Sequence, residues 1–125
     1  EENEQVFANV RASLAPNGIF VLDFMNAKKA IRDLVNNEHK RLAGNIDAEI
    51  TRRVENGKII KEITIHDAEK TYRYMERVQA LVLEDFQQLA RKSGFTIKQF
   101  WGDYHGNKFD EVNSPRLILF LKIDL

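Results

Sequence analysis

The chain of 125 residues contains no cysteine. That excludes a disulfide framework, a thiolate zinc site and a thiol nucleophile, and it fits a cytoplasmic protein. Neither sign of charge is in excess: Lys plus Arg and Asp plus Glu each number 19. Such a balance gives no electrostatic ground for binding nucleic acid or an anionic membrane. No apolar run approaches the roughly 20 residues of a membrane-crossing helix. The opening residues lack the basic-then-apolar pattern of a secretory signal. The six glycines fall at turns or helix ends, with no G-x-G-x-G arrangement among them.

What remains is ordinary for one compact domain: 43% hydrophobic and 30% charged residues. Residue 1 is Glu rather than Met, so the chain is expected to be a piece of a longer protein. Val6, Phe7, Val10 and Leu14 share one face of a first helix, with Glu1, Glu2 and Glu4 at its positive end. Pro16-Asn17-Gly18 ends it. Ile19-Phe20-Val21-Leu22 is a continuous apolar run, which predicts a strand buried on both faces, as in a parallel sheet. Asn26 is placed to cap a short helix with Ala30, Ile31, Leu34 and Val35 on its apolar side. Residues 37–45 read as a loop.

From Ile46 to about Leu81 the period becomes two. Asn56-Gly57 is a strong hairpin signal of the type I′ kind. It sets Val54 opposite Ile59, Arg52 opposite Lys61, Ile50 opposite Ile63 and Ala48 opposite Ile65. A second turn at Ala68-Glu69 would bring Tyr72 to Ile65, Tyr74 to Ile63, Glu76 to Lys61 and Val78 to Ile59. The apolar residues then share one face, which predicts a three-stranded antiparallel meander with that face buried. Phe86, Leu89 and Ala90 mark a helix over 83–93, ended by Gly94. Phe95 to Phe100 reads as a strand, 102–114 as a loop, and Leu117 to Leu121 as a buried strand entered through Ser114-Pro115.

Two stretches carry a resemblance. Leu14-Ala15-Pro16-Asn17-Gly18-Ile19-Phe20-Val21-Leu22-Asp23 is similar to the turn and fifth strand of class I S-adenosylmethionine-dependent methyltransferases, with Asn17 in place of the first Gly of a Gly pair. Leu89-Ala90-Arg91-Lys92-Ser93-Gly94-Phe95 resembles the helix end before their sixth strand. Gly102-Asp103-Tyr104 and Ser114-Pro115-Arg116-Leu117 are similar to the loop and last strand of a bacterial small-molecule subgroup.

The resemblance implies an α/β fold, α+β when taken as a fragment. Its sheet would hold strands five, seven and six, with the seventh antiparallel between the others. Residues 1–36 and 82–125 would belong to the methyltransferase core and 45–81 to an antiparallel insert near the substrate entrance. It also implies that S-adenosylmethionine serves the parent protein but does not bind tightly to this fragment, because the glycine-rich loop and first four strands of the fold are absent. The isolated fragment is then expected to be inactive, its partners being a small-molecule methyl acceptor and the N-terminal half of the parent.

The residues expected to face a substrate are Asp23, Asn26, Glu76, Tyr104, His105 and Arg116. Asp23 ends the first strand at the carboxyl edge, where open α/β sheets place ligands, or else caps the following turn. Glu76 forms a polar row with Lys61 and Arg52, either a cross-strand charge cluster or a contact for a polar substrate. His105 could act as a base, or it is a solvated loop residue. Arg116 could pair with a substrate carboxylate, with Asp110 or with Glu111. No His or acidic spacing marks a metal site. Phe100 and Trp101 read as core rather than as a stacking platform. A non-catalytic module would instead use the apolar face of the meander to bind a ligand or partner. A bare edge at 19–23 would favour self-association.

Overall fold

A computed structural model describes residues 1–124. In chain order the elements are α1 (Glu2–Ser13), β1 (Phe20–Met25), α2 (Ala27–Arg32), β2 (Asn37–Arg41) and β3 (Ile46–Glu55). They continue with β4 (Lys58–Asp67), β5 (Lys70–Gln79), α3 (Leu83–Ser93), β6 (Phe95–Trp101) and β7 (Arg116–Ile123). The contacts divide them into two units. One holds residues 1–30 and those from 81 onward, the other residues 31–80.

The first unit is a three-stranded sheet in the order β1-β7-β6, antiparallel throughout. Leu22 lies opposite Leu119, and Asp23 opposite Ile118. Alternation in β7 sends Leu117, Leu119 and Leu121 to one face, where each is at most 1% exposed. Phe7 of α1, Phe86 and Ala90 of α3, and Phe95 of β6 close over them. Phe7, Phe20 and Phe95 meet with ring centroids 5.4–6.1 Å apart, the edge and tilted geometries that aromatic quadrupoles favour. Asp85 accepts the Val82 N–H at 2.9 Å and starts α3.

Two expectations fail here. The run Ile19 to Leu22 is not buried on both faces: Ile19 is 50% and Val21 51% exposed. β7 is the one ladder partner of β1 among the described residues, and the helices of the core cluster pack on the Phe20, Leu22 and Phe24 side. Val6, expected on the buried stripe of α1, is 52% exposed; the stripe narrows to Phe7, Val10 and Leu14.

The second unit is a four-stranded antiparallel sheet in the order β2-β3-β4-β5. Asn56 and Gly57 both take positive φ, 52° and 73°, the backbone that a type I′ turn requires and that Asn-Gly tolerates best. The register follows the Asn-Gly reading: Val54 with Ile59, Ile50 with Ile63, Tyr74 with Ile63 and Glu76 with Lys61.

The segment 37–45 was expected to be a loop, but its first half is β2. Asn-Glu-His-Lys-Arg has no apolar alternation, so its strand comes from its partner. Arg52 donates its N–H to Asn36 O at 2.8 Å, and its guanidinium lies 2.9 Å from Glu38. α2 correspondingly stops at Arg32, leaving Ile31 and Val35 exposed. The buried face of the meander is also only partial. Ala48 and Ile50 are buried, yet all ten residues of β5 are exposed, including Tyr72, Tyr74 and Val78. Ile60, on the face expected to be polar, is 6% exposed.

Candidate functional site

The chemistry-bearing side chains of the first unit gather where β1 ends, β6 ends and β7 begins. Pleating turns Asp23 and Arg116 away from the Leu119 face, and the β1–β7 register sets them diagonally across the ladder. Arg116 Nε donates to Asp23 Oδ1 at 3.0 Å. Tyr104, from the loop after β6, donates its hydroxyl to Asp23 Oδ2 at 2.6 Å. The Arg116 guanidinium lies 6.0 Å from the Tyr104 ring centroid, within cation–π range.

Both oxygens of Asp23 therefore accept a hydrogen bond. The bond to Asp23 raises the Tyr104 pKa above its ordinary value, because losing the proton would set a phenolate against a carboxylate. Tyr104 keeps its proton at neutral pH and is a donor, not a base. With Tyr104 71% exposed, the cluster offers solvent the Tyr104 hydroxyl oxygen and the Arg116 N–H groups beyond Nε. It suits orienting a hydroxyl, carbonyl or carboxylate on a ligand rather than removing a proton.

The loop carrying Tyr104 is held at several points. The Asp103 carboxylate accepts the N–H groups of His105 and Asn107 at 2.8 and 3.1 Å and the Asn107 amide at 2.8 Å. These bonds, the Asn107 side chain foremost, lower its pKa. Asp110 accepts from Val112 N–H and the Asn113 amide and is lowered likewise. Gly102 is buried, and a methyl group there would run into Ser114 Oγ and Cβ, so close approach of the two loop ends requires glycine.

Asn26 is 4% exposed and is not the side-chain cap its position suggests. Its Nδ2 donates to the carbonyls of Glu111 and Ser114 at 2.8 and 2.9 Å, tying the start of α2 to the far end of the loop. Only its backbone carbonyl serves the helix, accepting from Ala30 N–H at 2.9 Å.

Of the six residues singled out from sequence, Asp23, Tyr104 and Arg116 form one cluster and Asn26 anchors the loop beside it. His105 is an exposed loop residue whose backbone N–H is used by Asp103. Glu76 belongs to the other unit, opposite Lys61 and exposed on β5. Neither alternative partner of Arg116 was right: Asp110 is spent on its own turn, and Glu111 pairs with Lys28. The sequence reading missed Lys28, Asp103 and Asn107. Only Asp103-x-x-x-Asn107, a short acidic-amide spacing of the kind that closes turns, was visible in advance. No group of His and acidic residues able to hold a metal ion occurs among the described residues.

No protein-family profile matches the chain, and no curated protein sequence matches it. Solved structures do. An S-adenosylmethionine-dependent methyltransferase from Clostridium acetobutylicum superposes with a TM-score of 0.78 at 17% identity, over 98% of this chain and 51% of that one. This is the fold of one part of an S-adenosylmethionine-dependent methyltransferase. The CcbJ methyltransferase from Streptomyces caelestis matches with a TM-score of 0.78 at 13% identity, over 98% and 50%. CalS10, an amino pentose methyltransferase from Micromonospora echinaspora solved with S-adenosylmethionine bound, matches at 0.55 and 13%, over 94% and 49%. The chain thus spans about half the length of the methyltransferases it matches.

At the exits of β1 and β6 the described residues form no cradle for a nucleoside cofactor. A nucleoside cofactor needs a backbone cradle at a strand's carboxyl end. β1 leaves through Met25-Asn26-Ala27, with no glycine and with Asn26 and Ala27 buried. The glycine at the exit of β6, Gly102, is filled by Ser114.

Proposed function

We propose that the chain is the C-terminal, substrate-side part of an S-adenosylmethionine-dependent methyltransferase acting on a small molecule. In this reading β1, β7 and β6 are strands five, seven and six of the parent sheet, and residues 45–81 are an antiparallel insert. The observation that carries it is the order β1-β7-β6 with antiparallel β7, together with a match to half of each methyltransferase. The half-exposed residues Ile19, just before β1, and Val21, on it, would be covered by the other half of the parent, which would also bring the cofactor loop. Tyr104 and Arg116 would hold a polar group of the methyl acceptor, with Asp23 and Asn26 positioning them. His105 lies on the same loop. Their contribution to rate is orientation of the acceptor for in-line displacement.

Calorimetric titration with S-adenosylmethionine tests this. The chain alone should give no binding heat at micromolar concentrations, and the full reading frame should bind. Micromolar binding by the chain alone would overturn the division of labour. Without its other half the chain should self-associate through β1, and sedimentation showing only monomer at high concentration would count against the bare edge.

A second reading has an observation of its own. Tyr72, Tyr74 and Val78 lie exposed in a row on β5, which suits a module that binds an apolar partner. The two readings part on the residues upstream of Glu1: a strand followed by a glycine-rich loop favours the enzyme, and its absence favours the module.

A further inference from the structure

Behind the Asp23 cluster, on the helix-covered side of the same sheet edge, the first unit encloses a cavity of ≈ 250 Å³. Ala27, Leu83, Phe100, Phe109 and Leu117 form its apolar wall. Phe100, read from sequence as core, is 41% exposed. An apolar cavity of roughly 150 Å³ accommodates benzene, and drug-sized ligands use about 300–1,000 Å³. The space suits a single ring with a short side chain.

The polar lining has one sign in excess. Lys28, Glu84 and Glu111 stand in it, one ammonium against two carboxylates. The Lys28 ammonium is paired with Glu111. Asn26 Nδ2 is committed to two loop carbonyls. The Val82 N–H at the start of α3 is already closed by Asp85. A ligand carboxylate would meet two carboxylates at the polar rim. An ammonium would find Glu84 and could take over Glu111 from Lys28.

We infer that this cavity is a binding site for a small primary amine carrying one aromatic or cyclic apolar group, its ring against Phe100 and Phe109 and its ammonium between Glu84 and Glu111. The site lies wholly within the first unit and requires no methyl donor. It therefore stands or falls separately from the methyltransferase reading.

The test is titration of the chain with 2-phenylethylamine, and with 2-phenylethanol and phenylacetate as neutral and anionic matches, followed by backbone amide shifts. The amine should shift Ala27, Leu83 and Phe109, with a Kd on the order of 1 mM. The alcohol should bind more weakly and phenylacetate weakest. Glu84→Gln and Glu111→Gln should each weaken the amine by about two- to five-fold, the range of exposed charge pairs, and leave the alcohol unchanged. Lys28→Met should strengthen the amine by a similar factor, a gain that a damaged fold would not produce. Shifts centred elsewhere, equal binding of amine and phenylacetate, or no shifts at all would overturn the site.

Discussion

The two sheets of this molecule are built from similar alternating strands and end up in opposite conditions. In the first unit, Leu117, Leu119 and Leu121 are closed under two helices to 1% exposure or less. In the second, β5 alternates just as regularly and all ten of its residues are exposed. Alternation tells which side chains share a face. It says nothing about whether anything lies on that face, because the cover is supplied by other segments.

The largest test of that contrast is a matched pair of truncations. Leu119→Ala should destabilise the chain by about 3 kcal/mol, since the side chain is wholly enclosed and leaves a cavity. Val78→Ala on β5 should cost less than about 0.5 kcal/mol. Urea denaturation of both decides it, and equal losses would mean that β5 is covered in solution.

Next in size is the loop anchor. Asn26→Ala leaves one buried and one part-buried carbonyl without their donor and should cost about 2 kcal/mol, with amide exchange quickened across 103–115. Replacing Gly102 by Ala should give a similar loss by overpacking against Ser114, about 1–3 kcal/mol. A smaller effect, opposite in sign, belongs to the second unit. Ala68 holds φ at 52°, where a Cβ is unfavourable. Ala68→Gly should raise stability by about 0.5–1 kcal/mol, read as a shift in thermal midpoint.

The smallest effects come from pH, and they reach both units. Asp103, lowered chiefly by the Asn107 amide, and Glu38, lowered chiefly by Arg52, have folded pKa values below their unfolded ones. Their stabilisation is complete above the ordinary carboxylate range, about 4, and fades as pH falls through the lowered values. Tyr104 runs the other way. Its folded pKa is raised by Asp23, so its contribution is complete below about 10 and is lost as pH climbs past the raised value. Amide shifts of His105 and Asn107 against acid, and ultraviolet titration of the phenol against base, follow each step.

How much of this was visible beforehand depends on range. The β3–β4 register followed from Asn56-Gly57 because a two-residue turn leaves no freedom in pairing. The helix over 83–93 followed from its own apolar spacing and Gly94. β2 did not, because Asn37 to Arg41 carries no pattern and is a strand only beside β3. The Asp23–Arg116 contact spans 93 positions, and local charge counting pointed Arg116 at Asp110 and Glu111 instead. Asn26 looked like a cap by position, but its amide is drawn to the loop carbonyls by a fold that spacing does not encode. Val21 looked buried because a continuous apolar run describes a strand's preference, while the depth it reaches depends on which neighbours the chain contains.

The placement of β7 bears on the order in which the chain can assemble. Phe20 has its ladder partner in Leu121 and Ile97 has the same one, so within these residues β1 and β6 are joined only once β7 is in place. The hairpins of the second unit link near neighbours along the chain and can form within microseconds. During synthesis from the amino end, residues 46–79 can pair while β1 still waits. The apolar side of β1, Phe20, Leu22 and Phe24, is closed by Leu117, Leu119 and Leu121 only after nearly the whole chain has been made.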